Sequence, residues 1–260
     1  MLPVAIRYAR SAIRDLLVRA NATHYDIAAV VEEKLASGYG GAAQVLVHGD
    51  YEGVAVACGR YLRLLAVDPE RRNRGIGTDL LRQLPQVSIV AAEPGNYFTP
   101  GIVDTDTATL AFFRKRGYAE TARTQNLGVR LAAAFEGSKL PHSRRDDVLA
   151  FIERTFGAIW RYEAKKCDTI FYTEDNGRIT GFAAQEANNR GLGFFGPTGV
   201  DPEYRGRGLG TELLRASLAE LERLGYDQAI IPWTDAIDFY RKACGATVAH
   251  RFVIMRRIAA

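Results

Sequence analysis

Cysteine and long apolar runs are scarce in this sequence of 260 residues, and each shortage excludes a class of protein. The cysteines are far apart and odd in number, which fits neither a disulfide framework nor a zinc site, so we expect no bound metal. No stretch approaches the roughly 18 consecutive apolar residues of a membrane-spanning helix, so we expect no membrane association. The three cysteines are Cys58, Cys167 and Cys244.

Concentrated positive charge is also lacking. The formal net charge is only +4 and the arginines are dispersed, whereas nucleic-acid-binding domains usually carry a dense basic stripe. The N-terminus shows neither a charged leader nor a sustained apolar segment with a cleavage site. We therefore expect a cytoplasmic protein, a monomer or homodimer, that binds no nucleic acid and whose ligand is a small polyanion.

One stretch of 16 residues occurs twice in the sequence. Val200–Arg215 repeats Val67–Arg82 after 133 positions, with 12 of the 16 residues identical. Each copy follows an apolar run and opens a periodic stretch, a pattern that predicts a strand, a glycine turn and the start of a helix. The repeat predicts two domains, residues 1–130 and 131–260.

The predicted glycine turns have the features of an anion site. Glycine permits positive φ and a close approach of the backbone to a ligand. The unpaired N–H groups at the start of a helix, together with its dipole, favour an anion by roughly 0.3–1 kcal/mol. Nearby arginines can pair with phosphate oxygens. A glycine turn with solvated arginines is the alternative, and the duplication favours the anion site. The arginines are Arg72, Arg74, Arg205 and Arg207.

The two turns resemble the acyl-CoA-binding signature of the GNAT superfamily of N-acyltransferases. Arg205–Gly210 and Arg72–Gly77 both match its Arg/Gln-x-x-Gly-x-Gly/Ala pattern. The second motif of that family also occurs twice, in Ala236–Lys242 and more loosely in Leu110–Tyr118. No Lys-Ser/Thr follows the last glycine, and the spacing differs from the dinucleotide fingerprint, so a nucleoside triphosphatase or a dehydrogenase is disfavoured.

The resemblance implies a fold, a reaction and a set of binding residues. The expected fold is mixed α/β, with two GNAT-like domains that each have a twisted mixed sheet flanked by helices. The expected reaction is transfer of an acetyl group from acetyl-CoA, the co-substrate, to an amine, and we expect a small-molecule acceptor. The implied CoA-binding residues are Gly199, Val200, Arg205, Gly206, Arg207, Gly208, Leu209, Gly210 and Thr211 in the second half and Val67, Arg72, Asn73, Arg74, Gly75, Ile76, Gly77 and Thr78 in the first.

The resemblance also implies a catalytic difference between the halves. Tyr240 occupies the position of a tyrosine that in relatives hydrogen-bonds or protonates the leaving sulfur, although the spacing to the next glycine is one residue longer here. Phe113 occupies that position in the first half and has no proton to give. We therefore expect a catalytic second half and a degenerate first half. A core position is the alternative for Tyr240. Glu186 is a candidate base, and a solvated turn residue is its alternative.

The intervening sequence predicts the same element order in both halves. Two helices, a hairpin, a strand, the glycine turn, a helix, a strand and a further helix follow one another. Pro85 shortens the helix after the first turn. The loop Glu93–Gly101 carries the adjacent aromatics Tyr97 and Phe98, which either pack the loop down or line a pocket. Asn176-Gly177 predicts a tight hairpin turn.

Two other functions agree with the same residues. One is a non-catalytic acyl-CoA sensor, in which both turns bind CoA and no transfer follows. The other is a protein acetyltransferase, whose acceptor is a lysine or an N-terminus. The sequence does not choose the acceptor, because pockets are built from loops that come from several segments.

Overall fold

The computed structural model of the protein describes residues 9–21, 25–131, 135 and 140–258. It divides into two compact units, the first formed by residues 1–121 with 254–260 and the second by residues 122–253. The residues on which the expectation about a leader rests lie outside the described ranges. No helix within those ranges combines the length and the apolar character needed to cross a bilayer.

The first unit begins with two helices and a hairpin, as the sequence predicts. Its elements in chain order are α1 (Arg10–Ala20), α2 (Ile27–Leu35), β1 (Gln44–His48), β2 (Gly53–Cys58), β3 (Tyr61–Val67), α3 (Ile76–Arg82), β4 (Ile89–Val90), β5 (Ile102–Val103), α4 (Thr107–Arg114) and the start of β6 (Tyr118–Arg130).

Local sequence explains the helices of this unit. Ile13, Leu16 and Leu17 recur at helical spacing on α1 and are buried. The side chain of Asp26 caps α2 by accepting a hydrogen bond from the N–H of Ala28 at 2.9 Å. Helix α3 has only seven residues and ends three positions before Pro85, which confirms the predicted shortening.

The sheet of the first unit opens beyond the start of β3. Strands β1, β2 and β3 pair antiparallel in that order. Strand β4 pairs in parallel with β3 only at Tyr61 and Leu62, and β3 then continues to Val67. The other edge of β4 pairs with the end of the chain, where Met255 lies opposite Val90. The far half of β3 thus lacks β4 as a neighbour, which leaves room beside it.

The second unit repeats the element order with a longer central helix. Its elements are the rest of β6, α5 (Arg145–Phe156), α6 (Ala158–Lys165), β7 (Ile170–Asp175), β8 (Arg178–Gln185), β9 (Phe195–Val200), α7 (Leu209–Arg223), β10 (Gln228–Thr234), α8 (Ile237–Cys244) and β11 (Thr247–Arg257), whose last four residues belong to the first unit.

The sheet of this unit opens in the same place. Strands β7, β8 and β9 pair antiparallel, and Asn176 and Gly177 both have positive φ in the tight turn of the predicted hairpin. Strand β10 pairs with β6. A single parallel bridge joins Phe194, just before β9, to Ile230 of β10. Helix α7 buries Leu214, among others, against the sheet. The expected mixed α/β fold is therefore confirmed.

Candidate functional site

The two glycine turns begin with the same local geometry. Asp68 and Asp201 have φ and ψ of −47° and 127° and of −48° and 129°. Each carboxylate accepts a hydrogen bond from the N–H two residues later, at 3.1 Å in both turns. A single 3-10 turn follows in each case, Pro69–Arg71 and Pro202–Tyr204. The aspartate of each repeat therefore fixes how the chain leaves the strand.

Positive φ angles recur at matching positions of the two turns. Gly206 and Asn73 have φ of 78° and 63°, and Gly208 and Gly75 have φ of 83° and 88°. A Cβ atom on Gly208 would meet no atom within 4 Å, so the backbone conformation and not crowding requires glycine there. The predicted equivalence of Gly75 with Gly208 is visible in these angles.

The first arginine of each turn is hydrogen-bonded to the last residue of the preceding strand. The Nε of Arg205 donates to the carbonyl of Val200 at 3.3 Å, and the Nε of Arg72 donates to the carbonyl of Val67 at 3.4 Å. Both arginines are exposed, and the Nη2 of Arg72 also donates to the carbonyl of Ala20 at 3.5 Å. The remaining N–H groups are accessible to an anion.

The next arginine differs between the turns. The guanidinium of Arg207 lies 4.8 Å from the ring centroid of Tyr204, and its Nη2 reaches the carbonyl of Glu203 at 3.5 Å. The first turn has Arg71 in place of Tyr204, so no ring supports Arg74 from that position.

The first N–H groups of α7 belong to the second glycine turn. Gly208 is the N-cap of this 15-residue helix, and its carbonyl accepts from the N–H of Thr211 at 3.0 Å. The N–H groups of Leu209 and Gly210 come before that first hydrogen bond, as in any helix start. They are donors for a phosphate, and the turn that carries them is exposed or half-buried. The turn therefore fits the diphosphate of CoA.

The last glycine of each turn packs against an aromatic ring of the second motif. A Cβ atom on Gly210 would lie 3.5 Å from Cζ of Phe239 on α8. A Cβ atom on Gly77 would lie 3.3 Å from Cζ of Phe112 on α4. The two helices thus meet their turns in the same register, and the residue after each ring is the predicted catalytic position.

Tyr240 follows Phe239 and is buried, with 7% of its surface exposed. Its ring makes edge contacts with Phe195 at 6.1 Å and with Phe239 at 4.9 Å. The hydroxyl makes no hydrogen bond with the described residues. Burial, with a smaller contribution from the thiol of Cys244, raises the pKa of Tyr240 to about 12. The phenol is therefore neutral at pH 7.

Phe113 holds the equivalent position in the first unit and is 2% exposed. It packs edge-on against Phe112 and Tyr118. The hydroxyl of Tyr118 donates to the carbonyl of Val87 at 2.9 Å and accepts from Arg257 at 3.0 Å. The nearest phenol is thus held by the backbone and an arginine, and Phe113 itself has no proton to donate.

A cavity of about 600 Å³ lies in the first unit, where β3 and β4 part. It is bordered by the far half of β3, the first glycine turn, α4 and the loop before β5. Its wall combines apolar residues with four arginines, one aspartate and three threonines. Lining residues include Leu65, Val67, Ile76, Phe98, Phe112 and Arg116.

The loop with the adjacent aromatics forms one wall of this cavity. Tyr97 and Phe98 are both buried, and the ring of Phe98 makes an edge contact with Tyr25 at 6.3 Å. Phe98 and Thr99 also line the cavity. The sequence offered packing and pocket lining as alternatives, and Phe98 does both.

A buried ion pair supports the loop and was not predicted from the sequence. Arg63 of β3 and Glu93 are 0% and 2% exposed in their side chains and form two hydrogen bonds of 2.6 and 2.7 Å. Arg63 also donates to the carbonyls of Lys34 and Ala36. The partners are 30 residues apart, and no local pattern links them.

Three hydrogen-bond donors hold the side chain of Glu186 at a turn. Its carboxylate accepts hydrogen bonds from the N–H of Gly191, from the N–H of Phe194 at 2.9 Å and from the hydroxyl of Tyr226 at 2.8 Å. Burial and the Glu186 carboxylate raise the pKa of Tyr226 to about 12. These bonds close the loop from residue 186 to residue 194. The suggested role of Glu186 as a base stays a prediction.

Comparison with known families identifies the class of protein. The model of the acetyltransferase (GNAT) family matches residues 131–246, and a model of an acetyltransferase (GNAT) domain matches residues 24–120. The chain therefore belongs to the GNAT family and carries two of its domains in tandem. The family is one of acyl-CoA-dependent acetyltransferases, and this chain is an acyltransferase of that type. A search of curated proteins found no match.

Solved structures share the fold at low sequence identity. A region of a fungal multi-domain β-N-acetylglucosaminidase, described as a GCN5-related glucosamine N-acetyltransferase region, gives a TM-score of 0.70 at 17% identity over 95% of this chain. This chain spans 36% of that protein. A tandem GNAT protein from the clavulanic acid pathway gives 0.61 at 15% identity, covering 96% of this chain and 95% of its own. A protein from Sphaerobacter thermophilus gives 0.55 at 21%, covering 84% and 77%.

Metal-binding groups do not come together in the described ranges. No three His, Cys, Asp or Glu side chains there form a group that could hold a metal ion. The features that fit a ligand are the glycine turns, the cavity and the phenol of Tyr240.

Proposed function

We propose that the protein transfers an acetyl group from acetyl-CoA to the amine of a small molecule, and that the second unit carries the chemistry. The observation that supports this most is Tyr240, a buried neutral phenol on the helix that packs against Gly210 of the glycine turn.

The second turn would hold the diphosphate of the donor. The N–H groups of Leu209 and Gly210 and the dipole of α7 favour an anion, and Arg207 adds a charge held against Tyr204. Acetyl-CoA, when bound, supplies an acetyl group already activated as a thioester. Beyond the bridge at Phe194, β9 does not pair with β10, so backbone groups of Thr198 on that edge would be available to a bound substrate.

Tyr240 would act as the general acid. As the amine nitrogen forms its bond to the acetyl carbon and the C–S bond breaks, the phenol donates its proton to the departing sulfur. The proton lost by the amine passes to a base or to water, and the phenolate then recovers a proton from solvent. Because the pKa of Tyr240 is raised to about 12, the acid stays protonated up to that pH.

A small acceptor agrees better with the charge of the chain than a basic protein segment does. The formal net charge is +4, which disfavours the approach of lysine-rich partners. Glu186 remains the sequence-based candidate for the base, although its three hydrogen bonds favour a role in fastening its loop.

A second function, acyl-CoA binding without transfer, is favoured for the first unit. The cavity beside the first glycine turn is formed, and Phe113 stands where an acid would be needed. A chain in which neither unit transferred acetyl groups would be an acyl-CoA-binding protein throughout.

The test is an assay of acetyl-CoA with a panel of amines, read by release of the CoA thiol and by the mass of the product. The panel holds amino sugars, because one structural relative is described as a glucosamine N-acetyltransferase region, with amino acids, polyamines and a lysine peptide. We expect transfer to at least one small amine. Transfer only to the peptide, or no transfer at all, would contradict the proposal.

A further inference from the structure

Arg116 connects α4 to the first glycine turn and lines the cavity. Its guanidinium carbon lies 3.6 Å from the ring centroid of Phe112. Its Nη1 donates to the carbonyl of Phe112 at 2.6 Å, and its Nη2 donates to the hydroxyl of Thr78 at the start of α3. Its Nε is buried and has no hydrogen-bond acceptor. The guanidinium is thus held in place with part of its donor capacity unused.

No carboxylate among the described residues pairs with this cation, although Asp106 also lines the cavity, where it accepts a hydrogen bond from the N–H of Thr109 at 3.0 Å. Burial and the like charge of Arg82 lower the pKa of Arg116, but an arginine remains protonated at neutral pH. A partly desolvated charge without a partner is unfavourable, and an anion in the cavity would supply the partner.

The second unit lacks this cation. Phe112 and Phe239 pack against equivalent glycines, which fixes a correspondence of 127 positions between the two helices. Arg116 therefore corresponds to Ala243. The two turns share their backbone, but among the described residues a guanidinium bonds to the hydroxyl of Thr78 after the first turn and none bonds to that of Thr211 after the second.

We propose that Arg116 is the counter-ion for a phosphate group of CoA in the first-unit cavity, and that the unit without the acid is the tighter CoA site. This inference rests on the proposed function in taking CoA as the ligand of both turns. The planar guanidinium matches phosphate oxygens, and the ring of Phe112 keeps it oriented. A hydrogen bond to a charged group contributes enough to make the first site about 10- to 100-fold tighter.

The test is calorimetric titration of the full chain with CoA, comparing wild type, Arg116→Met and Arg114→Met. Arg114 is the matched control, because it ends the same helix, is exposed and does not line the cavity. We expect two sites in the wild type. Arg116→Met should weaken the tighter site about 10- to 100-fold, and Arg114→Met should leave both affinities as they are.

Three ligands separate phosphate recognition from a structural role of Arg116. If Arg116→Met loses affinity for CoA but not for dephospho-CoA, Arg116 binds the 3′-phosphate. If it loses affinity equally for both, Arg116 binds the diphosphate. Pantetheine, which carries no phosphate, should bind wild type and Arg116→Met alike. An equal loss for pantetheine means that Arg116 only shapes the cavity and overturns the proposal. Arg116→Lys keeps the charge and should bind CoA more tightly than Arg116→Met does. Such a recovery would show that the fold tolerates substitution at this position.

The outcomes also separate this inference from the proposed function. Acetyl transfer by the wild type tests the proposed function and does not depend on which site is tighter. The inference on Arg116 is overturned if Arg116→Met keeps both CoA affinities while its melting temperature equals that of wild type. It is also overturned if CoA binds at one site and Gly208→Glu, rather than Gly75→Glu, removes it.

Discussion

The two glycine turns of this chain have nearly the same backbone and different side-chain chemistry around it. Their φ angles agree within about 15° at Asn73 and Gly206 and within about 5° at Gly75 and Gly208. The position of the proposed acid holds Tyr240 in one unit and Phe113 in the other. The fixed cation Arg116 is in the unit that has Phe113 at this position.

Under the proposed assignment, binding a phosphate and catalysing the transfer depend on different groups. Backbone N–H groups bind an anion whatever the side chains are, provided that φ is positive at the right positions. Proton transfer needs a particular side chain. A chain with two such turns can therefore keep binding in both units and chemistry in one.

The largest effect is expected from a charge placed in the second turn. Gly208→Glu puts a carboxylate where a phosphate would bind and forces a non-glycine residue to a φ of 83°, which costs roughly 1–2 kcal/mol. We expect acetyl transfer to fall at least about 1,000-fold, measured as CoA thiol released at saturating amine.

Gly225→Glu is the matched control for this change. Gly225 has a φ of 92° and open space at its Cβ, so it carries the same backbone strain outside the turn. If Gly225→Glu impairs transfer as strongly as Gly208→Glu, strain and not the anion site explains the loss. Gly75→Glu completes the comparison, because it should remove CoA from the first unit instead.

Removal of the phenol should have the next largest effect. Tyr240→Phe deletes the proposed acid and leaves the turn intact, so kcat should fall about 10- to 1,000-fold while the Kd for CoA stays the same. The lower figure allows for protonation of the thiolate by water. Steady-state kinetics and calorimetry measure the two quantities.

Tyr226→Phe is the control for loss of a phenol. The pKa of Tyr226 is also raised to about 12, but its hydroxyl donates to Glu186. We expect kcat within about threefold of wild type for that variant. A large loss of kcat in Tyr226→Phe, with none in Tyr240→Phe, would contradict the assignment of Tyr240 as the acid.

The element order and the turns could be predicted from the sequence because their causes are local. Periodic apolar residues give the helices, Pro85 ends α3 early, and Asn176-Gly177 makes the hairpin turn. The cavity and its supports could not be predicted in this way. The Arg63–Glu93 pair joins residues 30 apart, and Arg116 meets Thr78 across 38 positions. Such contacts depend on the path of the whole chain.

The smallest effect is expected at Glu186. Glu186→Gln keeps the shape of the side chain and removes its charge. Because the carboxylate fastens its loop through three donors, we expect a loss of stability of about 1–3 kcal/mol and a change in kcat below about threefold. Thermal unfolding and a pH–rate profile measure these. A loss of kcat above about 100-fold, with an altered acidic limb, would make Glu186 the base.

Exchanging Tyr240 and Phe113 tests most directly whether catalysis is confined to the second unit. In the double variant Tyr240→Phe/Phe113→Tyr the chain keeps one phenol at the acid position, but in the first unit. We expect kcat at saturating acetyl-CoA to stay as low as in Tyr240→Phe alone, within about threefold, because the chemistry depends on the second unit. Recovery of the wild-type rate in the double variant would contradict the assignment and place a working active site in the first unit.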